Sequence, residues 1–155
     1  MATQGKRGKP RREAMSKVDT AWLRMERDTN PMMITGVLMF ADRLSLAELK
    51  RVIRTRFLAY ARFRQRALDT GAAAFWQDDA AFDLDWHVQP VSLPGRSPGK
   101  RSLERLAGAL ASTPLDKARP LWQFHIIERY EGGAAVVARI HHAIGYGIAL
   151  VGVML

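Results

Sequence analysis

The residues best suited to chemistry in this 155-residue sequence lie close together, in Arg139-Ile140-His141-His142-Ala143-Ile144-Gly145-Tyr146-Gly147. Histidine is the side chain that most readily exchanges a proton near neutral pH, so the pair offers general acid–base chemistry. The pair closes a strand-like stretch, and successive strand side chains point to opposite faces. Only one of the two can then face a given cavity, while the other faces packing. Gly145 and Gly147 allow backbone to approach a ligand closely. Taken alone, two adjacent histidines are equally an ordinary feature of a sheet edge. His87 and His125 stand singly on strand-like segments without metal-ligand spacing, so both read as structural or surface residues and no metal site is expected. The absence of cysteine excludes disulfides, thiolate metal sites and cysteine nucleophiles, and fits a reducing cytoplasm.

Elements on both sides must hold the pair in place. Leu121 to Tyr130 alternates, with Trp122, Phe124 and Ile126 on one face; Glu131-Gly132-Gly133 can turn the chain, and Ala134 to His142 reads as the partner strand of a hairpin. Met32 to Phe40 is an apolar run of strand length, preceded by the turn residues Asp28-Thr29-Asn30-Pro31, and reads as a buried strand. Ser16 or Asp19 can cap a short helix through Arg27 that places Ala21, Trp22 and Met25 near one face. Ser45 and Glu48 form a capping-box pattern ahead of Leu46, Leu49, Ile53, Phe57 and Tyr60, one apolar face of a helix. A second amphipathic helix starts near Ser102, carries Leu103, Leu106 and Leu110, and is closed by Pro114. Phe75-Trp76 and Asp83 to Leu93 read as short strands. Strands mixed with helices around a chain that is 48% hydrophobic predict an α/β (α+β) layered domain.

The net charge of +9 is concentrated in two blocks. Met1 to Lys17 carries +5, and Arg43 to Arg66 carries +7, leaving the rest slightly acidic. Residues 1–14 have little to bury and are expected to form a disordered basic arm ahead of a domain over 15–155. The second block falls on the solvent side of the first amphipathic helix, where it needs no function. Both blocks also suit an anionic partner: a membrane or lipid-droplet surface, or a polyphosphate such as coenzyme A. No recognition helix or aromatic stacking platform is present, so nucleic acid is not expected. The basic start lacks an apolar continuation of signal-peptide type, and no stretch approaches the roughly 20 apolar residues of a membrane span.

His141-His142-x-x-x-Tyr146-Gly147 resembles the HHxxxDG signature of coenzyme A-dependent acyltransferases with the chloramphenicol acetyltransferase-like fold, shared by peptide condensation domains. Met15-Ser16-Lys17-Val18-Asp19-Thr20-Ala21-Trp22-Leu23-Arg24-Met25-Glu26, with Thr29-Asn30-Pro31-Met32-Met33, resembles the opening of the wax ester synthase/diacylglycerol acyltransferase family. Pro120-Leu121-Trp122 is similar to that family's PLW motif. The resemblance implies the N-terminal lobe of such a fold and acyl transfer from acyl-CoA to diacylglycerol or a fatty alcohol. Acyl-CoA is then a substrate, and no bound cofactor is implied. It puts the general base at His142, with His141 as an outward structural partner, Gly147 as the motif's glycine, and Pro120, Leu121 and Trp122 as support for the hairpin. Tyr146 stands where the motif has aspartate, a residue that pairs with an arginine to fix the histidine loop, so weakened activity is expected. The family's second lobe, with further motifs, has no counterpart up to Leu155, so a fragment or a disrupted copy of such a fold is expected. Two other readings are a condensation-type acyltransferase acting on carrier-bound substrates, which the Met15 to Met33 opening disfavours, and a non-catalytic basic module on an anionic membrane surface.

Overall fold

The computed structural model describes residues 9–145. Tyr146 and Gly147, both named above for the histidine motif, lie outside the described residues. Two sheets organise the described part. The larger has the order β2 (Met33–Phe40), β7 (Gly133–His141), β6 (Trp122–Tyr130), β5 (Val88–Pro90), antiparallel except for the parallel β5–β6 step. The smaller places β4 (Ala74–Asp78) between β1 (Arg12–Ala14) and β3 (Gln65–Asp69). Among the described residues are also four α-helices, α1 (Lys17–Met25), α2 (Leu46–Val52), the single turn α3 (Leu84–His87) and α4 (Lys100–Ala111), and three short π or 3-10 turns over Ile53–Phe57, Ala61–Arg64 and His142–Ile144.

The alternation along β7 divides its neighbours into two layers. Val136, Ala138 and Ile140 join Trp122, Phe124 and Ile126 in one core, packed against Leu49, Ile53 and Phe57. Ala135 and Val137 face the other way, onto Leu103 of α4. The β6–β7 hairpin turns at Glu131 and Gly132, both with positive φ (47° and 82°), the conformation tight hairpin turns require. A Cβ on the next residue, Gly133, would lie 1.9 Å from the Phe40 carbonyl oxygen, so only glycine lets β2 close against the hairpin.

Several elements differ from expectation. The basic arm ends earlier than residue 14, because Arg12–Ala14 forms β1 beside β4. Its side chains are exposed, and it is held by ladder bonds, by Arg12 on Gln77 (2.9 Å) and by Glu13 facing Arg62 (3.4 Å), which composition does not reveal. The Met33–Phe40 strand is an edge rather than a buried strand, and Met39 is 68% exposed. The helix begun by the Ser45–Glu48 capping box loses α geometry at Val52, widens into a π-helical turn over Ile53–Phe57, and leaves Tyr60 exposed. Asp83 accepts the Asp85 N–H (2.9 Å) and starts a helical turn where a strand was expected, so only Val88–Pro90 pairs with β6. On α1 the inward residues are Leu23 and, in part, Trp22, with Met25 53% exposed. The predicted face was therefore rotated.

Candidate active site

The histidine pair sits where β7 ends. His141 is its last residue, and His142 opens a single 3-10 turn, His142–Ile144, one residue earlier than the sequence suggests. Both backbone amides are pinned by neighbouring segments: His141 N–H donates to Leu121 O (3.0 Å) and His142 N–H to Met32 O (2.9 Å). The residue before β2 and the leucine of the PLW segment thus fix the backbone of the pair.

The two side chains have opposite environments. His141, expected to point outward, has 0% exposure and is the inward member. Its Nδ1 accepts the Ala143 N–H at 3.0 Å, and its Nε2 lies 3.6 Å from Glu26 Oε1. Burial holds its pKa below the ordinary histidine value, opposed by the Glu26 carboxylate and assisted by His142 and Lys117. His142 is half-buried and stacks on Trp22, with ring centroids 4.6 Å apart and planes 18° from parallel. Its ring is therefore partly open, with one face covered by the indole.

Helix α1 meets both rings. Ser16 caps it by accepting the Asp19 N–H (3.0 Å). Trp22 and Glu26 then fall four residues apart, on one side of the helix end, each against one histidine. The sequence reading placed Trp22 on an apolar helix face and both residues in the family-like opening, but named neither as a site residue. Their spacing was visible, but the partners lie at the other end of the chain. Lys117, in the loop before β6, closes the corner with Nζ 3.2 Å from Glu26 Oε2.

Pro120, Leu121 and Trp122 are all buried. The Trp122 indole N–H donates to Phe63 O (2.8 Å), its carbonyl accepts the His87 Nδ1–H (2.7 Å), and its ring stacks on that imidazole at 4.4 Å. In the cross-strand register Trp122 faces Ile140, next to the histidines. Buried Arg139 donates to Leu110 O, Thr113 O and Gln123 Oε1, fastening the end of α4 to β7 two residues before His141. His87 and His125 are both buried, and burial pushes each down to about 4.

A mixed sheet layered with helices, ending a central strand in a histidine pair, defines the chloramphenicol acetyltransferase-like class of folds. The model of the wax ester synthase/diacylglycerol acyltransferase catalytic domain matches residues 15–154, and the chain belongs to that family. A Mycobacterium tuberculosis protein named "Probable diacyglycerol O-acyltransferase tgs3" is 32% identical over 143 residues, covering 86% of this chain and 52% of that protein. The solved wax ester synthase/diacylglycerol acyltransferase of Marinobacter aquaeolei VT8 superposes with a TM-score of 0.75 at 25% identity, over 90% of this chain and 35% of its own. The starter condensation domain of rhizomide synthetase RzmA has the same fold, with a TM-score of 0.76 at 14% identity over 93% and 37%. The chain spans about half the length of the curated relative and about a third of the solved structures.

Proposed function

We propose that this chain supplies the catalytic histidine of an acyl-CoA-dependent O-acyltransferase that forms triacylglycerol or wax ester from diacylglycerol or a fatty alcohol. The observation that carries the reading is the contrast within the pair. His142 is the ring left partly open, while His141 is committed to packing. In the reaction, the His142 imidazole takes the proton of the acceptor hydroxyl as its oxygen attacks the thioester carbonyl. The C–S bond then breaks, and the proton passes to the departing coenzyme A thiolate. No acyl-enzyme forms. Trp22 holds the imidazole from one side. Exposed Arg51 and Arg54 on the α2 side add positive charge suited to an anionic membrane or lipid inclusion met from the cytoplasm. No helix among the described residues is long and apolar enough to cross a membrane.

The test is transfer of a labelled long-chain acyl group from coenzyme A to diacylglycerol or hexadecanol. It uses this chain alone and this chain joined to the remaining part of the M. aquaeolei enzyme. Product in the joined form, increased by Tyr146→Asp, is expected. Absence of ester under conditions where the intact M. aquaeolei enzyme makes it overturns the reading.

A further inference from the structure

Glu26 takes no part in the chemistry proposed above, yet its side chain is only 5% exposed and lies between buried His141 and the largely exposed Lys117. The His141 Nδ1 that accepts the Ala143 N–H carries no proton, so the proton of the neutral ring sits on Nε2. That nitrogen faces the Glu26 carboxylate and has no hydrogen-bond partner of its own. At 3.6 Å the contact is longer than a hydrogen bond and acts as charge–dipole attraction, which burial strengthens. The opposite tautomer would set an Nδ1–H against the Ala143 N–H and an Nε2 lone pair against a carboxylate, two repulsions in one corner.

We infer that Glu26 is a positioning residue: it holds the His141 ring with Nε2–H toward itself, so that Nδ1 restrains the Ala143 amide and fixes the turn from which His142 projects. The functional meaning of this rests on the proposed role of His142, whereas its test needs no substrate and no turnover.

The experiment is two-bond ¹H–¹⁵N correlation of the histidines in the full chain, with amide exchange at Ala143 and the tryptophan emission as a check on folding. The unaltered chain should show His141 as a single Nε2–H tautomer. Glu26→Ala should free the ring and accelerate Ala143 exchange about tenfold, the scale of one net hydrogen bond. Glu26→Gln, which keeps an acceptor oxygen, should retain the tautomer. The groups facing His141 are Glu26, Lys117 and His142. Lys117→Met, at a side chain 62% exposed, should fold normally and move the His141 titration to higher pH, because it removes a repelling cation. An unchanged tautomer and Ala143 exchange in a folded Glu26→Ala variant overturn the inference. If that variant does not fold, an Nδ1–H or mixed tautomer of His141 in the unaltered chain does so.

Discussion

The interior around Trp122 and the corner around Glu26 each bury a histidine, and they satisfy it by opposite means. His87 lies among aromatic rings and gives its one proton to a backbone carbonyl, Trp122 O. His141 lies between a backbone N–H and a carboxylate, with an ammonium group behind. The first arrangement contributes stability through apolar packing, with Nδ1 paired to backbone and Nε2 left without a hydrogen-bond partner among the rings. The second retains a buried charge, which is poor evidence of stability and suits a device that orients a ring. The two regions share the strand pair β6–β7, so the rigid interior carries the corner at its end.

The largest break in this comparison comes from the interior. Trp122→Ala removes a fully buried indole that bonds Phe63 O and packs on Phe82, Phe124 and His87, and should cost about 3–5 kcal/mol in urea unfolding. Acid acts next. His87 and His125 are held near 4 when folded and return to about 6.5 when unfolded. The unfolded chain therefore binds more protons between those values. Stability is fully present above about pH 6.5 and is lost as pH falls toward 4, by about 3 kcal/mol for each histidine. The urea midpoint across this window checks it, and His87→Phe should remove about half of the slope. Trp22→Ala, which takes away the ring beneath His142, should cost about 1 kcal/mol while freeing the imidazole, read from His142 line widths. Lys117→Met should be smallest, about 0.5 kcal/mol or less, because its ammonium is largely solvated. A large loss there would place the corner among the stabilising regions and erase the contrast.

What was legible in the sequence was local or periodic. The capping box forms as read, with Glu48 N–H on Ser45 Oγ (3.2 Å) and Ser45 N–H on Glu48 Oε2 (2.8 Å). The Trp122-Phe124-Ile126 face lies in the core. The histidine pair was marked by residue type and motif. Strands β1 and β3 were missed because their mostly exposed or half-buried side chains leave little apolar alternation, and ladder bonds with polar side-chain contacts hold them. Glu26 was missed because an acidic residue at a helix end is usually solvated, and its partners are far along the chain. The orientation of His141 was misread because β7 is covered on both faces, so the face opposite Ile140 is buried as well.

The central claim is that the open member of the pair, His142, accepts the proton of the acyl acceptor. Turnover of long-chain acyl-CoA and diacylglycerol by the chain joined to the M. aquaeolei remainder, with and without His142→Ala, tests it directly. A fall in kcat of about 100-fold or more, with folding intact, is the predicted result for loss of a general base. Undiminished turnover in the folded His142→Ala protein would contradict the account.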